Sequence, residues 1–405
     1  MKILIFCQYY HPERFLITDI AEKMVEDGHS VTVVTGRPNY NFPDGKVPNE
    51  YLTGKHDREC IRGVNIIRCK TRGRGKNKLR LVLNYLDYVR QANKLVKKLP
   101  SDYDIVFSYQ LTPVMQVKPA NKYARKNGKK HICYCLDLAP ESGMKMLKHF
   151  KLISRFYKNS AKKIYNACDK IAVTSDSFIE YHNRVNGIPL DKLVYIPQHA
   201  PTTLLDQDLS KPINEGDKRI LLFAGNIGVG AKLDTVVSAA STLVLMGQKN
   251  FEVRFVGDGS DKARLMQLVK EKELEKYVCF HDGVPFDKMP DIYRGADALL
   301  ISLRKGQITI PGKLQAYMST GKPIFGAMDS AGNAMIKESE CGVCVSAEDA
   351  NALALVLNDF INNPRAYQRH GEKGRLYFEN HFTLDRYMKS LMSLINKLVV
   401  EEENE

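Results

Sequence analysis

The stretch LRKGQITIPGKLQAYMSTGKPIFGA, residues 303–327, carries the densest chemistry in this chain. Arg304, Lys305 and Lys313 supply cationic charge. Pro311 and Gly312 open a helix whose free backbone N–H groups point out of its first turn. Gln315 stands just inside that helix, polar among apolar neighbours. A cation beside a helix start at the end of a strand suits a diphosphate, because both carry positive charge toward it. A solvated basic helix start is the plainer reading.

Three other loops have residues of the right type. In AGNIGVGAKLDTVV, residues 224–237, Gly225, Gly228 and Gly230 let a backbone approach a ligand, and Lys232 adds a point charge where a helix begins. This spacing is not the G-x-G-x-x-G of a dinucleotide site. In VGDGSDKARL, residues 256–265, Gly257 and Gly259 flank Asp258, as a simple tight turn also would. Around Val284, the backbone of Asp282 and Gly283 has N–H and C=O groups to offer a flat base.

Such loops need strands and helices to hold them. Consecutively apolar runs at 2–8, 31–36, 65–69, 105–109, 131–137, 170–175 and 194–198 read as parallel strands covered on both faces. Helical spacing over 18–29 ends at Gly28 and completes a strand–helix–strand crossover. A second series runs 219–227, 251–259, 278–284, 297–303, 323–328 and 342–347. The expectation is an α/β chain of two doubly wound, Rossmann-like domains facing a cleft, with ligands at the carboxyl ends of the strands. The boundaries read as a first domain at 1–199, a polar linker at 200–218, a second domain at 219–375 and a helical tail at 376–405.

Motifs in the expected order make the chain similar to retaining GT-B glycosyltransferases of family 4, in the subgroup that builds bacterial surface polysaccharides such as O-antigen, capsule and exopolysaccharide. They are QYYHPERF (8–15), TGRPNY (35–40), LDLAPES (136–142), GNIG (225–228) and the P-x-K-L-Q run Pro311, Lys313, Leu314 and Gln315. The resemblance implies a nucleotide-sugar donor, UDP-linked, in the second domain. It implies a lipid-linked saccharide acceptor in the first. The family's pair of glutamates falls on Gln307 and Gln315, which can hydrogen-bond hydroxyls but cannot ionise. Ala139 stands where the family usually has Trp.

On this reading Lys313, Lys232 and the N–H groups near Gly312 stabilise the departing diphosphate, with Arg304 assisting. Gln315 meets the ribose, and Gln307 and Asn226 meet the sugar. Asp137 and Glu141 orient or deprotonate the acceptor, or Asp137 merely caps its loop. Glu13 and Arg14 touch acceptor or donor phosphate. No metal and no cofactor are expected. The D-x-D pairs Asp102/Asp104 and Asp206/Asp208 lie before a strand and in the linker, away from any diphosphate.

Composition narrows the alternatives. The chain has 405 residues and a net charge of +14. Residues 1–200 hold 35 Lys+Arg against 18 Asp+Glu, and the rest hold 25 against 28. Ten basic residues fall within 55–80, and 144–165 reads as a basic amphipathic helix, so both segments are expected to meet an anionic membrane surface. For 144–165, a core-facing helix with a solvated basic side is the alternative. The N-terminus does not read as a secretory signal and no apolar run is long enough to span a bilayer, so a peripheral place on the cytoplasmic membrane face is expected. Most of the nine cysteines fall in or beside apolar runs and are read as buried thiols of a reducing compartment, the Cys341–Cys344 pair included. A nucleotide-sugar 2-epimerase would need carboxylates and a His where this chain has glutamines. A nucleic-acid-binding protein would interleave aromatic residues with the basic run, and this chain does not.

Overall fold

The computed structural model describes residues 1–139, 151–201, 204, 209, 218–285 and 288–404, with side chains left out at 151–153 and 402–404. The chain divides into two compact units, Met1–Pro197 with Tyr387–Glu405, and Gln198–Arg386. Both are α/β units built on a mainly parallel sheet, as the sequence led us to expect.

In the first unit the strands are β1 (Lys2–Phe6), β2 (Ser30–Gly36), β3 (Arg58–Ile61), β4 (Val64–Cys69), β5 (Ile105–Gln110), β6 (His131–Cys135), β7 (Lys170–Val173) and β8 (Leu193–Tyr195). Their order is β3-β4-β2-β1-β5-β6-β7-β8. All pair in parallel except β3 with β4. The inner strands are buried along their length, which is why they read as unbroken apolar runs. Strand β3 is an exposed edge of sequence RECI, and its polarity hid it from the sequence reading.

The helices of this unit are α1 (Leu16–Glu26), α2 (Lys78–Leu95), α3 (Lys118–Asn127), α4 (Lys151–Asn166) and α5 (Asp176–Asn186). Asn77 caps α2 by accepting the Arg80 N–H at 2.8 Å. Gly128 and Gly187 end α3 and α5 in the left-handed conformation.

The second unit has β9 (Arg219–Ala224), β10 (Phe251–Val256), β11 (Val278–His281), β12 (Ala298–Ser302), β13 (Ile324–Ala327) and β14 (Gly342–Val345), in the order β11-β10-β9-β12-β13-β14. The order reverses between β9 and β12, and an open α/β sheet binds ligands at such a switch point. Its helices are α6 (Asp234–Leu245), α7 (Lys262–Glu271), α8 (Met289–Arg294), α9 (Lys313–Met318), α10 (Ala331–Ser339), α11 (Ala350–Asn362) and α12 (Gln368–His381), followed by α13 (Leu384–Asn404).

Two boundaries differ from expectation. Ala200, Leu204 and Leu209, expected in a linker, pack into an apolar cluster of the second unit. The expected tail at 376–405 is divided at Tyr387. Beyond that point the chain belongs to the first unit, where Tyr387 is buried edge-on against Tyr134 with ring centres 5.4 Å apart. The physical reason is the apolar stripe of α13, with Met388, Leu391, Ile395 and Leu398 buried.

Candidate functional site

The loops that follow β9, β10 and β12 are locked to one another by backbone contacts. Gly225 N–H donates to Val256 O, Ile227 N–H to Asp258 O, and Asp261 N–H to Ile227 O. Gly257 has φ +143, and a Cβ there would lie 2.0 Å from the Gly225 carbonyl oxygen. At Gly259 a Cβ would lie 2.2 Å from Ile227 O. These two glycines therefore let loop pack on loop, a more specific role than the tight turn. From the other side, Arg304 N–H and Gln307 Nε2 both donate to Gly230 O at 3.0 Å. The Gln307 amide thus ties the loop after β12 to the loop after β9. Asn226 is exposed between Gly228 and Gly259, its carboxamide reaching toward both.

Helix α9 is fastened to the end of β9 by one side chain. The Tyr317 hydroxyl accepts the Ala224 N–H at 2.9 Å and donates to Ala224 O at 3.1 Å. Lys313 is four residues earlier and so shares that face of the helix. Its ammonium lies 3.6 Å from the centre of the Phe223 ring, a cation–π contact. It also lies 3.0 Å from where a Cβ would stand on Gly225, whose φ is +136. Any side chain at Gly225 would strain the backbone and crowd the ammonium. Lys313 has no carboxylate partner among the described residues. Part of the side chain remains accessible, yet burial lowers its pKa to about 7. Sequence reasoning found Lys313 but missed Phe223 and Tyr317. The four-residue spacing of Lys313 and Tyr317 was the available signal.

Each donor-side residue can now be located. Gln315 is 2 % exposed, and its Oε1 has no donor within reach. Pro311 is buried against the site of a Cβ on Gly332, and Gly312 caps α9. That helix spans only six residues, so its dipole is weak and the charge of Lys313 dominates. Lys232 is held by Asp234 at 2.9 Å and neighbours Glu348 at 4.0 Å, so its charge is already shared. Arg304 is exposed. Near Val284, Gly283 N–H donates to Asp258 at 3.1 Å, and Lys262 bridges Asp258 and Asp282 at 3.1 and 2.7 Å.

In the first unit the expected acidic residues turn inward. Glu13 is 3 % exposed, and its Oε1 accepts the N–H groups of Asn39, Tyr40 and Asn41. Burial raises its pKa, against the lowering by those three donors. The expected contact of Glu13 with a substrate phosphate is thus corrected: a buried carboxylate clasps the TGRPNY loop. The Tyr9, Phe15 and Tyr40 rings pack beside it, and Arg74 lies 4.4 Å over Tyr40. Arg14 approaches Asp19 at 3.6 Å. Asp137 Oδ2 accepts from the Thr112 N–H and hydroxyl at 2.9 and 3.0 Å, which ties the loop after β6 to the loop after β5 and is not a cap on the segment that follows Asp137. Glu141 lies outside the described residues, as do Asp206 and Asp208. Asp102 and Asp104 instead hold the start of β1, through the Lys2 ammonium at 2.5 Å and its N–H at 2.7 Å.

The basic segment 55–80 has partners within the protein. Arg62, Arg68, Lys70, Arg72 and Lys76 pair with Glu22, Glu59, Asp57, Asp87 and Asp44. Half of the ten basic residues of that run therefore face the protein's own carboxylates. Of 144–165, residues 144–150 lie outside the described residues. In the remainder, Ala161, Ile164 and Tyr165 are buried in the core and Tyr157 packs against them, while Phe156 is exposed. No helix among the described residues is long and apolar enough to cross a membrane. Among the described residues the cysteines are free thiols, and no cluster of His, Cys, Asp or Glu could hold a metal.

Comparison with known proteins agrees with this arrangement. WcaI of Escherichia coli (strain K12), assigned to colanic acid biosynthesis as a glycosyl transferase, is 23% identical over 95% of this chain and 97% of its own. Sucrose-phosphate synthase from Thermosynechococcus elongatus superposes with a TM-score of 0.77 at 16% identity over 99% of both chains. Anabaena HepE in complex with UDP superposes with a TM-score of 0.69 at 14% identity, over 98% of this chain and 100% of that one. The Glycosyltransferase Family 4 model matches residues 15–202 and the Glycosyl transferases group 1 model matches residues 206–377. The chain therefore carries, in order, the two domains of a group 1/family 4 glycosyltransferase of GT-B type.

Proposed function

We propose that this protein moves a sugar from a UDP-linked donor to a lipid-linked saccharide acceptor in surface-polysaccharide synthesis, with retention of configuration and without a metal. The observation that carries the reading is Lys313. Its ammonium is held over the Phe223 ring, beside a glycine bend, with no carboxylate among the described residues to neutralise it. A protein lowers the pKa of a lysine in this way at sites where an anion supplies the missing partner. A departing diphosphate is such an anion, and a cation fixed in advance stabilises its growing charge without reorganisation.

The other parts fit the same ligand. The orphan Gln315 Oε1 suits a ribose hydroxyl, since a buried acceptor without a donor is otherwise unfavourable. The loop at Val284 has room in its role for the base, and Asn226 for the sugar. The UDP bound by HepE and the colanic acid pathway of WcaI support the choice of donor and acceptor class. A lipid-linked acceptor would keep the protein at the inner face of the membrane. With glutamines at 307 and 315, proton removal falls to the departing phosphate or to a carboxylate such as Asp137.

A thermal-shift screen of UDP-, GDP- and dTDP-sugars tests this. Selective stabilisation by the UDP compounds is expected, since a ligand that binds only the folded state raises the melting temperature. No shift with any of the three would overturn the reading, and a shift with GDP-sugars alone would replace the donor.

A further inference from the structure

The first unit contains a groove of about 1100 Å³ between α3 and α4 that none of the foregoing roles uses. Lys118, Lys122 and Arg125 are spaced four and three apart, so they follow one face of α3. Phe156, Asn159 and Lys163 follow the facing side of α4 in the same manner. The rise from residue 118 to 125 is about 10 Å. None of these four cations has a carboxylate partner among the described residues, although Lys122 reaches the Asn93 carbonyl at 3.5 Å. Asp169 is the one acidic residue lining the groove, and its Oδ2 already accepts the His131 N–H at 2.7 Å. Phe156 is 75 % exposed, a large apolar ring standing among cations.

We propose that this groove binds an anionic saccharide chain through its acidic groups, with Phe156 stacking on a sugar face. Three features select that occupant. The concavity suits a chain more than a flat surface. The lining alternates cations for carboxylates with the Asn159 carboxamide for hydroxyls. A single ring offers one apolar face, whereas a nucleic acid would want several in series. A bilayer would want a free apolar helix face, and on the described part of α4 Ala161, Ile164 and Tyr165 are buried, which leaves Phe156 as its exposed ring. The inference deepens the proposed function, because a polysaccharide enzyme that holds its product or acceptor away from the reacting end gains effective concentration there.

The test uses the full chain and oligogalacturonate as probe, with neutral dextran and phosphatidylglycerol vesicles as controls, in titration calorimetry at low and moderate salt. Oligogalacturonate is expected to bind, more weakly as salt rises, and dextran is not. The triple variant Lys122→Glu, Arg125→Glu, Lys163→Glu should lose at least about tenfold in affinity, by the sum of three surface charge pairs. Phe156→Ala should lose about threefold or more. Alanine in place of glutamate at the same three positions serves if the triple variant misfolds. UDP-induced stabilisation should persist in every variant, so loss of that signal speaks against the donor reading and not against the groove. Failure of oligogalacturonate to bind, or equal binding by the variants, overturns the proposal. Vesicle binding without oligogalacturonate binding overturns it in favour of a lipid surface.

Discussion

Glu13 and Lys313 stand in comparable places, Glu13 in the loop between β1 and α1 and Lys313 at the first position of α9 just after the loop that follows β12, each a charged group largely withdrawn from water. Their surroundings differ. One Glu13 oxygen receives three backbone N–H groups, leaving only Oε2 without a donor. Lys313 receives a ring face and, among the described residues, nothing that can neutralise it. A charge satisfied by its own backbone holds a loop in shape; a charge left without a counter-ion is available to a ligand. On this view the second unit keeps its chemistry open at Lys313, and Glu13 of the first unit is structural.

The sharpest way to break that contrast is at Lys313. Lys313→Ala should lower kcat/KM by about a hundredfold or more, comparable to deleting a single oxyanion donor. Folding stability should hold or rise, because an unpaired buried cation is removed. Steady-state kinetics together with denaturant unfolding separate the two effects. Turnover near that of the wild type would remove the diphosphate assignment.

Glu13→Ala should show the opposite pattern. Three N–H groups lose their acceptor, which costs about 2 kcal/mol of stability, since buried donors left unmade carry a full desolvation penalty. UDP affinity should be unchanged. Urea unfolding is the check, and a variant as stable as the wild type would mean the clasp is not needed.

The pH dependence sharpens the comparison further. With a pKa of about 7, Lys313 is charged below neutrality and mostly neutral above it when no ligand is bound. A bound diphosphate favours the charged form, so binding takes up a proton at pH above 7. UDP affinity should therefore fall as pH rises, by about tenfold between pH 6.5 and 8.5, within the limit set by one pKa unit per tenfold. Calorimetry in buffers of different ionisation enthalpy would read both the affinity and the proton. In Lys313→Arg, whose guanidinium stays charged, the dependence should vanish.

The two units were unequally legible in the sequence. Inner strands such as β1, β5 and β9 were evident because burial on both faces demands consecutive apolar residues. Strand β3 was not, since an exposed edge tolerates polar residues. Lys313 was legible as a cation beside Pro311 and Gly312. Its support by Phe223 and Tyr317 was not, because that contact joins residues about ninety positions apart. The role of Glu13 was misleading for a general reason: residue type shows that a carboxylate is present, but not whether backbone donors already surround it. The region of α13 read as a helical tail, and a helical reading alone could not say which core its Tyr387 would enter.

The smallest expected effect concerns the basic run of residues 55–80. Arg72 donates to Asp87 at 2.5 Å, with the arginine about half exposed at 54% and the carboxylate less so at 17%. Solvent screens such a pair, so Arg72→Ala should cost no more than about 1 kcal/mol. The informative measurement is co-sedimentation with phosphatidylglycerol vesicles at low salt. If the run is mainly an internal ion-pair network, replacing Arg72 leaves vesicle binding as it was, because an arginine already facing Asp87 contributes little field outward. A marked loss would show that the pair opens at an anionic surface and that the run does reach outward. The same variant at 1 M salt should lose its stability difference from the wild type, since the Debye length there is about 3 Å and the attraction between the partners is largely screened.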